Sequence, residues 1–172
     1  MVESGGLLLT RTRLEYAPQV WVGKDFRAGP NSTIGGNPIG VDDPQGGIEI
    51  GDKVRVGPGS VIMLGIEKPT KIGNRTAIGA LCSVGHETII EEGVTILNGS
   101  HLAGWVHVGK GAYLAFGVIV RNRVKIGPGS FIGQGSNVVE DIPANVVAFG
   151  NPCRVVRRRR RPISYYLRRW FT

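Results

Sequence analysis

Hydrophobic positions along the chain recur with a period of six. Reading every sixth residue from Ile72 gives Ile78, Val84, Ile90, Ile96, Leu102, Val108, Leu114, Val120, Ile126, Ile132 and Val138, with no aliphatic slot missed. Four residues after each slot stands a small or β-branched residue, as at Thr76, Cys82, Thr88, Ser100 and Ser130. The residue directly after the slot is often glycine, as at Gly73, Gly79, Gly85, Gly109, Gly127 and Gly133. Six is neither the 3.6 of a helix nor the simple alternation of a strand. It fits a coil of three short strands, with the aliphatic side chain inward at the middle of a face, the small one near a corner and glycine easing the turn. One coil is then about eighteen residues, and coils stack by parallel strand pairing at about 4.8 Å. The predicted fold class is all-β, a parallel β-helix; a sandwich of short strands would not hold this phase over so many units.

The phase is legible at Val22, Ala28 and Ile34, breaks, and resumes at Ile50, Val56 and Ile62. Residues 1–21 carry no clear phase and are assigned to a lead-in that caps a strand edge of the first coil. The break reads GGNPIGVDDPQGGIE and predicts a loop near residues 35–49; a four-residue insertion near 66–71 accounts for the ten-residue step from Ile62 to Ile72. Loops on a rigid scaffold collect binding residues, so the loop bearing Asp42 and Asp43 is either a flap over a substrate site or a solvated excursion. The chain thus divides into a lead-in (1–21), a repeat body (22–153) and an arginine-rich tail (154–172). In the tail Pro162 is placed to open a short helix with Ile163, Tyr166, Leu167, Trp170 and Phe171 on one apolar stripe.

Composition changes this picture only at the tail. The formal net charge of +8 is concentrated in Arg154, Arg157 to Arg161, Arg168 and Arg169, leaving the coils near balance. The stripe and its arginines suit either an amphipathic helix on an anionic membrane surface or packing against the body or a neighbouring subunit. Nucleic acid is not expected, because the aromatics share the apolar stripe instead of lining an exposed groove. No apolar run approaches the roughly 20 residues of a membrane span. Cys82 sits in an inward slot far along the chain from Cys153, so no disulfide framework is expected and a reducing cytoplasm is the simplest home.

The period also makes the candidate chemistry readable, since residues eighteen apart stack on one face. His86 lies under Gly104, then Asn122, then Glu140, all in outward phase, beside a column of Glu87, Trp105, Arg123 and Asp141. An imidazole below a glycine offers a base and a backbone N–H for an oxyanion, which is what acyl transfer needs. The plainer reading of His86 is a histidine on a solvated face. His101 and His107 read as surface or subunit-interface residues. The three histidines are separated by fifteen and six residues and share no column, whereas a zinc site needs ligands converging within about 2.1 Å; no metal site is assigned. A non-catalytic scaffold is the remaining class, since many solenoids only bind.

The run HETIIEEGVTILNGSHLAGWVHVGKGAYLAFGVIVRNRVKIG, from His86 to Gly127, resembles the hexapeptide-repeat acyltransferase family. The likeness is to UDP-N-acetylglucosamine acyltransferases and to acetyltransferases of nucleotide-linked amino sugars, and it covers residues 50–154. It implies a left-handed parallel β-helix of hexapeptide repeats and a homotrimer; general crossover rules alone would favour the right hand. It places the general base on His86 with Glu87 behind it, and the oxyanion amide on Gly104. Gly150, Asn151, Pro152, Cys153 and Arg154 resemble the segment that ends the last coil beside the acyl-donor site. Donor contacts are accordingly assigned to Gly104, Ala115, Asn122, Gly133, Asn151, Pro152 and Arg154, and acceptor contacts to Thr95, His101, Trp105 and Arg121. No tightly bound cofactor is implied; acetyl-CoA is the expected co-substrate and a nucleotide sugar the expected acceptor, in surface-glycan synthesis. An acyl carrier protein is the alternative donor, because such proteins are acidic and the tail is basic. A zinc-dependent carbonic anhydrase-like protein and a trimeric scaffold are the alternatives of another class. The chain departs from the lipid A enzymes at Trp105, where they carry histidine, and at Arg121 and Asn122, where they carry His-Gln. It departs from the sugar acetyltransferases at Thr95, where many carry a second histidine.

Overall fold

A computed structural model describes residues 8–9, 13–14 and 19–159. Among them the chain winds as a left-handed parallel β-helix with no α-helix. Its three faces are three sheets. The first holds nine strands, from β1 (Leu8–Leu9) to β22 (Arg154–Arg158); the second holds seven, from β2 (Arg13–Leu14) to β20 (Asn137–Val138); the third holds six, from β3 (Val20–Val22) to β18 (Lys125–Ile126). Through the regular body each strand pairs with the one eighteen residues on, as in Ile78 with Ile96, Val84 with Leu102 and Ile90 with Val108.

The aliphatic column is the core. Ile78, Val84, Ile90, Ile96, Leu102 and Val108 are each no more than 3% exposed, and burying each side chain is worth about 1.5–3 kcal/mol. The small column fills the corners. Several of its buried hydroxyls are satisfied by carbonyls of the next coil: Thr88 Oγ1 donates to Ala103 O at 3.1 Å, Ser100 Oγ to Ala115 O at 3.1 Å and Ser130 Oγ to Pro143 O at 2.6 Å. Coils are therefore tied corner to corner without a buried orphan at these positions.

The glycines after the aliphatic slot do a different job from the one expected of them. None of Gly73, Gly79, Gly85, Gly109, Gly127 and Gly133 has a positive φ. They are needed because the next coil passes too close: a Cβ on Gly73 would lie 2.6 Å from Glu92 N, and one on Gly85 2.6 Å from Ala103 C. The left-handed residue of each corner falls two positions later, three after the aliphatic slot. It is glycine at Gly93, Gly99, Gly111, Gly117, Gly129 and Gly135, but Glu87, Trp105 and Arg123 hold the same conformation, with φ of 50°, 56° and 65°.

Three stretches depart from the expected layout. The lead-in already supplies strands, since β1 pairs with β4 (Arg27–Ala28) and β2 with β5 (Thr33–Gly36). These pairs step by nineteen and twenty residues, Leu8 to Arg27 and Arg13 to Thr33, so a strict period of six passes over them. The loop between β5 and β6 (Ile48–Ile50) folds back onto the second insertion, where Gln45 N donates to Ile66 O at 2.8 Å and Gly47 bridges Gly65. The basic stretch opens as β22, antiparallel to β21 (Val146–Phe149). The helix expected from Pro162 lies outside the described residues.

Candidate active site

The corner between the second and third sheets carries His86 and Glu87, which follow β11 (Ser83–Val84) and precede β12 (Ile89–Ile90). One coil on, Gly104 and Trp105 occupy the same corner between β14 (His101–Leu102) and β15 (His107–Val108). Another coil on stand Asn122 and Arg123, after β17 (Ile119–Val120). The left-handed backbone at Glu87 turns its carboxylate back onto its neighbour, so that His86 Nδ1 and Glu87 Oε2 are 2.5 Å apart.

Glu87 is buried and fully committed. Its other oxygen, Oε1, accepts from the backbone amides of Ile66 at 3.0 Å, Glu67 at 2.8 Å and Lys68 at 3.5 Å, all in the second insertion. Burial alone would raise the carboxyl pKa, but the amides of Glu67 and Lys68 and the hydrogen bond with His86 outweigh it and hold the group below its ordinary range. A carboxylate in that position takes the Nδ1–H of His86 and leaves Nε2 with its lone pair free to accept a proton.

The opposite side of the imidazole is set by the next coil. A Cβ on Gly104 would fall 2.6 Å from His86 Cε1 and 2.7 Å from Nε2, so only glycine lets the ring sit there. The Trp105 ring meets the imidazole edge to face, with centroids 4.3 Å apart, and the Arg123 guanidinium lies 4.5 Å from the Trp105 centroid. Trp105 N–H donates to His86 O at 2.9 Å and Arg123 N–H to Gly104 O at 3.1 Å. The Gly104 N–H has no acceptor among the described residues.

A cleft of about 420 Å³ opens over this corner. His86, Gly104, Ser83 and His101 line its polar side, and Pro38, Ile39, Met63, Ile66 and Ile119 its apolar side. The excursion after β5 thus does wall the site, through Pro38 and Ile39; Asp42 and Asp43 are not among the lining residues.

The structure brings His86, Glu87, Gly104, Trp105 and His101 to one place, with Arg121 and Asn122 exposed one coil on from Ala103 and Gly104. The other expected site residues lie elsewhere on a single chain. Thr95 stands on the first sheet in β13 (Thr95–Ile96); Ala115 and Gly133 follow first-sheet strands at another corner; Asn151 accepts from Asn137 Nδ2 at 3.2 Å; Pro152 is exposed beside it; Arg154 pairs with Glu140 at 3.4 Å. His107 lies on the third sheet with Nε2 2.8 Å from Glu91 Oε1. Among the described residues no group of three or more His, Cys, Asp or Glu side chains is placed to hold a metal ion.

Arg123 and the insertion amides were not assigned to the site by sequence. The signal for Arg123 was present: in the left-handed column glycine fills the other two corners from Gly93 to Gly135, while every third position is Glu87, Trp105 and Arg123. Left-handed backbone costs an L-residue roughly 1–2 kcal/mol, and Arg75 and Leu81 bear that cost at other corners, so what sets Glu87, Trp105 and Arg123 apart is that they stack on one corner with His86.

A family model described as bacterial transferase hexapeptide (six repeats) matches residues 87–122, and one described as hexapeptide repeat of succinyl-transferase matches residues 27–63 and 69–103. Together they cover more than half of the chain. The chain belongs to the hexapeptide-repeat family. Among curated relatives, it is 40% identical over 83 residues to an acyl-[acyl-carrier-protein]–UDP-N-acetylglucosamine O-acyltransferase of Stutzerimonas stutzeri, and equally so to one from Pseudomonas aeruginosa; each match spans 48% of this chain and only 32% of the relative. Among solved structures, the UDP-N-acetylglucosamine acyltransferase of Bacteroides fragilis superposes with a TM-score of 0.83 at 21% identity, over 96% of this chain and 64% of that one. The acetyltransferase domain of PglB from Neisseria gonorrhoeae, in complex with acetyl coenzyme A, gives 0.57 at 19% identity over 88% and 58%. At these identities the structural likenesses speak for the hexapeptide-repeat fold alone.

Proposed function

We propose that this protein is an acyltransferase acting on a hydroxyl or amine of a nucleotide-activated sugar, with acetyl-CoA as donor. The observation that carries the reading is the His86–Glu87 pair set against Gly104: a fixed base and an unspent N–H on adjacent rungs, open to one cleft. His86 Nε2 takes the acceptor proton as the acceptor oxygen or nitrogen attacks the thioester carbonyl. The carbonyl oxygen gains the charge and is held by the Gly104 N–H. Collapse breaks the carbon–sulfur bond, and the leaving thiolate takes the proton back from Nε2. Glu87 keeps the imidazole in the tautomer this cycle needs and stabilises the imidazolium between the steps. The protein works as a cytoplasmic homotrimer, and its basic tail brings it to the inner face of an anionic membrane.

A second donor is favoured by one observation: the curated relatives at 40% identity are named for an acyl carrier protein. An acidic carrier protein would suit the arginine-rich end of the chain. Incubating the protein with nucleotide sugars and, in separate arms, acetyl-CoA or acyl carrier protein thioesters, with mass analysis of the sugar, tests both readings. His86→Ala is expected to lose about 10²–10⁴ in turnover while retaining the fold, because the side chain faces the cleft. Wild-type turnover in that variant, or no acyl gain in any arm, overturns the assignment.

A further inference from the structure

The cleft contains a second imidazole that the proposed chemistry leaves unused. His101 stands on the outward face of β14, directly between Ser83 on one neighbouring strand and Ile119 on the other, and its side chain is exposed. It fills no core space. Its Nδ1 is 2.9 Å from Ser83 Oγ, and its Nε2 has no partner among the described residues. Ser83 Oγ has no other side-chain partner among the described residues; with its hydroxyl donated to Nδ1, the ring carries its proton on Nε2. His86 is held the opposite way, its Nδ1–H donated to Glu87. The two imidazoles of one cleft thus present opposite faces of the same chemistry: His86 offers a lone pair, His101 an N–H.

What that N–H meets follows from the rest of the lining. Among the described residues no Asp or Glu lines the cleft, and the two histidines are the ionisable groups of its lining. The Glu87 carboxylate lies behind His86, with Oε1 occupied by three backbone amides and Oε2 by His86 Nδ1. The floor next to His101 is made of the small residues Gly85 and Ala103, which let a bulky group lie against the backbone, and Arg121 is exposed one coil beyond Ala103. A donor on a lining without carboxylates, with a cation further along the same corner, suits a ligand oxygen carrying negative charge.

We propose that His101, held by Ser83, binds a phosphoryl oxygen of a substrate and so anchors it in the cleft while His86 works on the other end. This rests on the acyltransferase reading for its substrates, which offer phosphoryl groups from two sources: the diphosphate of a nucleotide sugar and the phosphates of the donor's pantetheine arm. Ser83 is a positioning residue that acts through His101.

The test is binding by calorimetry of UDP in one arm and coenzyme A in the other, to wild-type protein and to His101→Gln, Ser83→Ala and His86→Gln, with the His101 ring resonances followed by NMR during each titration. The arm that moves the His101 resonances names the source. In that arm His101→Gln is expected to weaken binding about tenfold or more, the effect of losing one hydrogen bond to a charged group. Ser83→Ala is expected to weaken it less, and His86→Gln to leave it within about twofold. Because binding is read without turnover, absence of acyl transfer would count against the function proposed above and not against this site. Unchanged affinity of His101→Gln for both ligands, or no binding of either to the wild-type protein at millimolar concentration, overturns the proposal.

Discussion

Gly104→Ala isolates the contact on which the site's geometry depends. Gly104 does not adopt a positive φ, so alanine carries no backbone penalty there. Alanine also keeps the N–H proposed to hold the oxyanion. The only change is a methyl group, whose carbon would sit 2.6 Å from His86 Cε1 and 2.7 Å from Nε2. Carbon atoms in contact normally stand about 3.5–4.0 Å apart, so the ring must retreat by about 1 Å. It cannot do so freely: Glu87 Oε2 is 2.5 Å from Nδ1, and the Trp105 ring centroid is 4.3 Å from its own. If the ring holds instead, the coil must rise, which strains the Trp105 N–H to His86 O bond at 2.9 Å. A misplacement of about 1 Å in a reacting group costs on the order of 10² in rate. The expected outcome is a loss of about a hundredfold in kcat with little change in KM, approaching the loss in His86→Ala, accompanied by a shift of the His86 ring resonances. Melting should fall by a few degrees at most, since one strained contact of about 1 kcal/mol moves Tm by roughly 2–4 °C in a chain of this size. A kcat within twofold of wild type with unmoved ring resonances would show that the imidazole does not rest on Gly104, and the proposed base would lose its support.

The phase of the repeat is tested by Val108→Lys against Lys110→Val. Val108 is 0% exposed, so a charge there should destabilise by about 4 kcal/mol or more; Lys110 loses only an exposed pair with Glu92 at 2.9 Å, worth at most about 1 kcal/mol, and equal denaturant midpoints would refute the assignment. Because the Glu87 carboxyl is held below its ordinary range, its contribution to stability is complete above the unfolded value of about 4.3 and is lost as pH falls through the lower folded value. The urea midpoint should therefore drop more steeply on acidification below about pH 4.3 in the wild type than in Glu87→Gln, and parallel curves would show that Glu87 titrates as in the unfolded chain. Leu81 holds a φ of 56° while 66% exposed, so Leu81→Gly should raise stability by about 0.5 kcal/mol or more, the strain relieved less the entropy added to the unfolded chain. Trp105→Gly relieves the same kind of strain yet should lower activity by removing the brace on His86, and a fully active, more stable Trp105→Gly would separate that ring from the site.

The core and the register were open to inspection because a solenoid's contacts are set by one number: once the step is eighteen, the partners of Val84, Ile90 and Leu102 follow by addition. The juxtaposition of His86 with Gly104 was legible for the same reason. Where the step slips the method fails, and so the first strands, at Leu8 and Arg13, went unseen. The support of Glu87 was illegible for another reason. Its amides come from Ile66 to Lys68, in an insertion whose path depends on how it folds under the next coil, and no periodicity reports that. The sequence left the loop near residues 35–49 open between a flap and a solvated excursion, and it drew attention to the wrong residues of it. Asp42 and Asp43 draw attention in a sequence because they are charged, whereas the residues of this loop that line the cleft are Pro38 and Ile39, just after β5 ends at Gly36.

The reversal of direction at β22 bears on a hazard common to solenoids. Every other strand pair of the described helix is parallel, and each finished coil is a template on which another coil, or another molecule's first coil, could be laid. At the first sheet the last place is taken by a strand running the opposite way, so a parallel newcomer finds the wrong pattern of donors and acceptors. That strand also carries Arg154, Arg157 and Arg158, and two copies meeting end to end would bring those charges together. On that sheet the described end is thus covered by a reversed strand and by charge, two of the devices that keep an edge from pairing with another chain.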